Sequence, residues 1–181
     1  SAILSKSLLA DPEGQMADPT NREIAIIGLG NTLRGDDGVA MALLEHLEIS
    51  DTHGWHCFPL GTFSTLIGQC FRGQKKALII DAVHTGARPG TLILIDLSPP
   101  LSPLTPGRMR TTHGFSFLDE IQIHQQFLPE QIWFLGIESD ECGAGEKLSA
   151  AMQLRLPQLV QETRKVLTCM AANEPVSFYT S

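Results

Sequence analysis

The chain has 181 residues and a mass of 19.7 kDa, with 43% hydrophobic and 18% charged residues. That is the size and balance of one globular domain with its own apolar core, and it argues against disorder. With 13 Lys and Arg against 20 Asp and Glu, the net charge is −7 and the pI near 5.3, a poor basis for binding nucleic acid or an anionic membrane.

In chain order, residues 1–21 are set apart from the fold: the first methionine is Met16, and the stretch before it reads as an added or processed extension. The pairs Ile3-Leu4 and Leu8-Leu9 are too short and too broken for a signal peptide. Glu23–Leu29 (EIAIIGL) is a β-branched run ending at Gly30 and predicts a buried strand. Gly38–Ile49 places Val39, Leu43, Leu44 and Leu47 near helical spacing. Trp55–Leu60 is a weaker strand and Phe63–Phe71 a short helix. Lys76–Asp81 (KALIID) is a strong strand running into an acid, and Gly90–Leu97 (GTLILIDL) is another strand. Four prolines between Pro99 and Pro106 break any regular pattern, so 98–109 reads as a mobile loop leading toward His113. Ser116–Phe127 predicts a helix, Gln131–Ile137 a strand, and Glu146–Met170 a long amphipathic helix bent near Pro157. Ala171–Ser181 reads as a frayed polar tail. No apolar run is long enough to span a bilayer.

Strands alternating with helices imply a mostly parallel sheet covered on both faces, in a single domain. In such sheets ligands bind beyond the carboxyl ends of the strands. That rule selects Gly28–Gly38, after the first strand, and Asp81, at the end of the third. The glycines of Gly28-Leu-Gly30 invite a dinucleotide reading, but position 33 is Leu and two acids stand where a pyrophosphate would lie. Helix capping is the plain alternative, with Asp36 as N-cap and Asp37 at the first helical position. The flanking Gly35 and Gly38 weaken a helix start, and so favour a cation or proton-transfer role for one of the two acids. Asp81 has a similar choice between facing a ligand crevice and bonding loop amides. His113, in Thr111-Thr-His-Gly114, is a solvated or capping residue, or the third member of a mixed O/N site suited to Ni, Zn, Mn or Co. His53 and His56 do not share a strand face and receive no role. Gly143-Ala-Gly145 reads as a flexible turn. Cys57, Cys70, Cys142 and Cys169 form no CxxC pair and read as reduced thiols of a cytoplasmic protein.

These pieces, in this order, resemble the maturation endopeptidases of [NiFe]-hydrogenases over roughly Glu23 to Met170. Ile26-Ile-Gly-Leu-Gly-Asn-Thr-Leu-Arg-Gly-Asp-Asp-Gly38 is similar to the family's opening motif, and Gly61-Thr62 to its second glycine turn. Leu78-Ile-Ile-Asp-Ala-Val83, with Gly86 and Pro89-Gly-Thr91, resembles its central strand and turn. Thr112-His113 stands where the family has its histidine, and Phe134-Leu-Gly-Ile-Glu138, Gly145 and Leu148-Ser149 resemble the closing motif. Ala150 replaces a common proline, and Ala40 a frequent glycine.

The resemblance implies a three-layer α/β/α sandwich with a mostly parallel twisted sheet, the peptidase domain spanning 22–170. It also implies that Asp37, Asp81 and His113 act as both catalytic and metal-sensing residues. The activity implied is an aspartyl-type, nickel-dependent endopeptidase. It would remove a C-terminal tail from the large-subunit precursor of a [NiFe]-hydrogenase after nickel insertion. The nickel, or another divalent ion in its place, would arrive held by that partner. A noncatalytic nickel-sensing assembly factor for the same subunit and a nucleotide-binding α/β module remain as alternatives.

Overall fold

In the segment IAIIGL, Ile24–Leu29 forms β1, and every residue of it is buried. Its neighbours are β2 (Trp55–Gly61) and β3 (Lys76–His84), both parallel to it. The computed structural model describes residues 23–48, 54–99, 110–111, 116–123, 125–140, 145 and 147–176. Within them the sheet runs β2-β1-β3-β6-β4, where β6 is Gln131–Glu138 and β4 is Leu92–Asp96. β6 lies parallel to β3, and β4 lies antiparallel on its outer edge. A two-residue strand, β5 (Arg110–Thr111), pairs antiparallel with the far end of β3.

Strand alternation sorts the apolar side chains into two layers. Ile24, Ile26, Leu78, Ile80, Leu135 and Ile137 pack with α1 (Val39–Glu48) and α3 (Ala150–Ala172). Ala25, Ile27, Leu29, Ile79, Val83, Ile132 and Phe134 pack with Ile67, Phe117 and Ile121. Phe117 and Ile121 belong to α2 (Ser116–Ile123), and the Phe117 ring stacks on Phe134 with centroids 5.6 Å apart. The fold is therefore an α/β/α sandwich around a mostly parallel sheet, as the sequence implied. No helix of the described residues is long and apolar enough to cross a membrane.

Several elements differ from the sequence reading, each for a local reason. The expected helix Phe63–Phe71 is a 3₁₀ helix, Ser64–Cys70, because Gly68 and the β-branched Thr65 and Ile67 are weak α-formers. The helix expected to reach Phe127 ends its α-helical part at Ile123 and is followed by a 3₁₀ turn, Gln125–Phe127, just ahead of Pro129. The expected strand Gly90–Leu97 is trimmed to Leu92–Asp96. Gly90, at φ +79°, makes the turn into it, and a Cβ there would meet the Arg155 side chain at 2.5 Å.

The long helix starts at Ala150 rather than Glu146. Ser149 is its N-cap, with Oγ accepting from the Met152 N–H at 3.1 Å. Pro157 lies inside this helix on its exposed side. The start of the expected frayed tail is held. Ala171 and Ala172 are helical, and Asn173 closes the helix in the left-handed conformation at φ 56°. The Lys76 ammonium donates to the Met170 and Ala171 carbonyls at 2.5 and 3.3 Å, and Val176 packs on the core. The expected mobility of 100–109, the remainder of the tail (177–181), Cys142 and His53 lie outside the described residues.

Candidate active site at the carboxyl edge of the sheet

The parallel strands β1, β2, β3 and β6 end on one side, and both acids singled out from the sequence stand there. β1 pairs with β3 from Ile24 opposite Lys76 to Gly28 opposite Ile80. β6 occupies the other edge of β3 from Lys76 to Val83. β5 therefore lies on the same edge as β1, further along, with Thr111 opposite Val83 and Arg110 opposite His84. Between them, no described strand pairs with that edge of β3 at Asp81 and Ala82.

The gap exists because β1 turns away. Gly30 has φ +146° and donates its N–H to the Gly61 carbonyl at 3.0 Å, which draws the chain toward β2. A crevice opened where neighbouring connections diverge is the usual place for a ligand in a parallel sheet.

Asp81 is fully buried, and its Oδ1 accepts from the Ala82 N–H at 2.9 Å. It does not end its strand, as the sequence reading had it. β3 continues to His84 because Ala82 and Val83 pair with Ile137 and Glu138. Its partner position on β6 is Gly136, where a Cβ would meet the Val83 side chain at 2.9 Å and the Phe134 ring at 3.2 Å. Among residues 77–83, Asp81 is the one charge in an otherwise apolar strand.

Asp37 sits in a 3₁₀ turn, Gly35–Gly38, that joins β1 to α1 and packs against β3. The loop closes on itself: a Cβ on Gly30 would collide with the Asp37 carbonyl, so that approach needs glycine. Asp37 is 1% exposed, and its Oδ1 accepts no hydrogen bond among the described residues.

The neighbouring acid behaves differently. Asp36 does not cap the turn before α1, the plain alternative that the sequence offered for it, for that turn has no side-chain cap. Its carboxylate crosses to α3 instead, accepting from the Ser149 N–H at 2.7 Å and the Ser149 hydroxyl at 2.8 Å. Gly145, expected in a flexible turn, also holds this loop. It accepts from the Gly35 N–H at 2.6 Å and donates to the Leu33 carbonyl at 3.3 Å.

His113 lies outside the described residues. It comes two positions after Thr111, and Thr111 faces Val83, itself two positions from Asp81. The short strand β5 was missed because two residues carry no periodic pattern. Glu138 was likewise quoted only as part of a motif. It is 2% exposed, and its carboxylate accepts from the Thr85 N–H, the Thr85 hydroxyl and the Gly86 N–H at 2.7–3.0 Å. It thereby holds the turn after β3. Among the described residues no three His, Cys, Asp or Glu side chains form a metal-binding group. Cys57, Cys70 and Cys169 are thiols outside any disulfide.

Fold and crevice together define an α/β/α protein with a buried acidic site at the carboxyl edge of its sheet. The chain belongs to the hydrogenase maturation protease family (HycI), which it matches over residues 41–166. That match spans Asp81 and His113 and begins just after Asp37. Among solved structures it is similar to HybD, the [NiFe] hydrogenase maturation protease of Thermococcus kodakarensis. There the TM-score is 0.63 at 20% identity, over 80% of this chain and 98% of that one. The hydrogenase maturating endopeptidase HybD of E. coli gives 0.64 at 16% identity, over 81% and 92%. A hydrogenase 3 maturation protease gives 0.60 at 22%, over 79% and 90%. No curated protein sequence matches the chain. The protein is thus a protease of the hydrogenase maturation family.

Proposed function

We propose that this endopeptidase removes a C-terminal tail from a [NiFe]-hydrogenase large-subunit precursor once that precursor holds nickel. In this reading Asp37, Asp81 and His113 meet the nickel held by the substrate's own cysteines. The observation that carries it is the pair of buried carboxylates, Asp37 and Asp81, brought to one end of the sheet. Taking a carboxylate out of water costs several kcal/mol unless a cation or hydrogen bonds compensate. Asp37 Oδ1 lacks a hydrogen bond among the described residues, so a cation or a proton is its natural counterpart. Chain connectivity supports the third ligand, since two residues beyond Thr111 reach at most ~7 Å.

Two carboxylates and an imidazole form an O/N donor set suited to nickel and its neighbours in the series. Such a set binds a solvated ion weakly by itself. A metal already carried by the substrate completes the coordination, so cleavage waits for loading. The reaction is hydrolysis: a water oxygen adds to the scissile carbonyl carbon, the C–N bond breaks, and the departing amine takes a proton. In this reading Asp37 Oδ1, which accepts no hydrogen bond among the described residues, takes the water's proton. The substrate's metal can polarise the carbonyl or acidify the water. A cytoplasmic location, without nucleic-acid or membrane partners, belongs to the same reading and accords with the net charge of −7.

The test is incubation of the protein with nickel-loaded and nickel-free precursor, then measurement of intact mass. Loss of a C-terminal peptide from the loaded form alone is expected. Cleavage regardless of nickel would overturn the sensing role, and no cleavage of the loaded form would overturn the assignment of substrate.

A further inference from the structure

Two adjacent acids of one turn are used in opposite ways. Asp37 has an oxygen without a donor among the described residues, whereas Asp36 commits both of its oxygens to one residue, Ser149. We infer that Asp36 is a positioning residue: its clamp on Ser149 at the head of α3 fixes the direction in which the next residue, Asp37, presents its carboxylate. The inference rests on the role of Asp37 proposed above.

The clamp has little freedom. Asp36 is 4% exposed, so water does not compete freely for its carboxylate. The single Ser149 hydroxyl proton goes to Asp36 Oδ2 at 2.8 Å, and the same hydroxyl oxygen accepts from the Met152 N–H at 3.1 Å. The hydroxyl is therefore fixed as donor on one side and acceptor on the other. The Ser149 N–H, one of the donors left unsatisfied at a helix start, takes Asp36 Oδ1 at 2.7 Å. Hydrogen bonds to an ionised acceptor are about twice as strong as neutral ones. A negative charge at a helix N-terminus also gains from the dipole.

A second tie acts on the same loop from the same side, through Gly35 N–H to the Gly145 carbonyl at 2.6 Å. Asp37 itself accepts no comparable bond at Oδ1, so its aim depends on the backbone that carries it. That backbone is held from residues 145 to 149, far along the chain. A displacement of about 1 Å at a reacting group can cost on the order of 100-fold in rate.

The experiment compares Ser149→Ala, Ser149→Thr, Asp36→Asn and Asp37→Asn in the full chain. Kinetic constants for nickel-loaded precursor are read beside hydrogen exchange of peptides covering 31–38 and 24–29. Ser149→Ala removes the hydroxyl bond without touching either acid. It should lower kcat by about 10- to 100-fold with KM little changed, and speed exchange in 31–38 but not in 24–29. Ser149→Thr keeps the hydroxyl and should restore kcat to within about 3-fold of the parent, a smaller loss than that positional error. Asp36→Asn should resemble Ser149→Ala, and the two together should lose no more than the worse single variant, as members of one unit do. Full kcat with unchanged exchange in Ser149→Ala, beside an inactive Asp37→Asn, would overturn the positioning role and leave the Asp37 role standing. Full activity in Asp37→Asn would instead overturn the reading on which it rests. Should Asp36→Asn not fold, the Ser149 pair decides the matter alone.

Discussion

Asp36 and Lys76 hold opposite ends of one helix, each with the charge that end favours. Asp36 accepts from the Ser149 N–H and hydroxyl at the start of α3, and Lys76 donates to the Met170 and Ala171 carbonyls at its end. The helix macrodipole is positive at its N-terminus and negative at its C-terminus, so both contacts are favourable. Each residue also leads into a candidate carboxylate. Asp36 precedes Asp37, and Lys76 opens the strand that carries Asp81. A single helix thus braces the turn and the strand that build the crevice.

Removing the brace at the far end should weaken the whole fold. Lys76 is 7% exposed, and its ammonium bonds the Ala171 carbonyl at the helix end and shares the Met170 carbonyl with the Asn173 N–H. Lys76→Met keeps most of the volume and loses the donor. Stability in urea should fall by about 1–3 kcal/mol, the usual cost of unpairing buried polar groups. An unchanged midpoint would show that the tie contributes nothing.

At Asp37, function and stability should part company. A buried carboxylate oxygen with no partner among the described residues is a burden on the fold, and Asp37→Asn removes the charge at nearly constant volume. The thermal midpoint should therefore hold or rise, while cleavage of nickel-loaded precursor falls by about 100-fold or more, as expected for losing a group that acts in the transition state. Asp81→Asn and His113→Ala should lose activity likewise, and His53→Ala should not. Wild-type cleavage by Asp37→Asn would remove this acid from the site.

Much of this arrangement could be seen in the sequence, because the signals are local. Runs such as Ile24–Leu29 and Lys76–Asp81 are β-branched, apolar and bounded, and buried parallel strands look like that. Adjacent parallel strands then bring the turn after β1 and the acid of KALIID to one edge, while the choice of Asp37 over Asp36 comes from the family resemblance. The clamps could not be seen. Asp36 and Ser149 are 113 positions apart, and nothing in either neighbourhood marks the pairing. Capping of the nearest helix is the local alternative for Asp36, and tertiary packing gives that acid a different helix to serve. Glu138 escaped for the same reason, since its partners Thr85 and Gly86 are reached only through strand pairing. The short β5 arises from its contact with β3 and not from its own residues.

Thr163 offers a stabilising change away from the crevice. It is fully buried on α3, and its hydroxyl has no hydrogen-bond partner among the described residues. Thr163→Val has nearly the same shape and removes the unsatisfied group. It should raise unfolding stability by about 1 kcal/mol, within the range for such groups. A loss of stability would reveal a partner for the hydroxyl in solution.

Cys70 should make folding stability fall at high pH. Burial pushes its thiol up to about 11, with Arg72 pulling weakly the other way. In the unfolded chain a cysteine titrates near ~8.5. Below that value both states hold the proton, and the thiol contributes no pH dependence. As pH rises toward 11 the unfolded state loses its proton first, so folding stability contributed by Cys70 is lost across that interval. Cys70→Ala should therefore lose less stability than the parent between about pH 8.5 and 11, measured by urea unfolding at each pH. The same burial keeps the reactive thiolate scarce at neutral pH. Iodoacetamide at about pH 8 should label Cys70 later than the half-buried Cys57 and Cys169, with the order lost in denaturant. Equal labelling of all three in the native protein, or parallel stability curves for parent and variant, would refute a raised thiol.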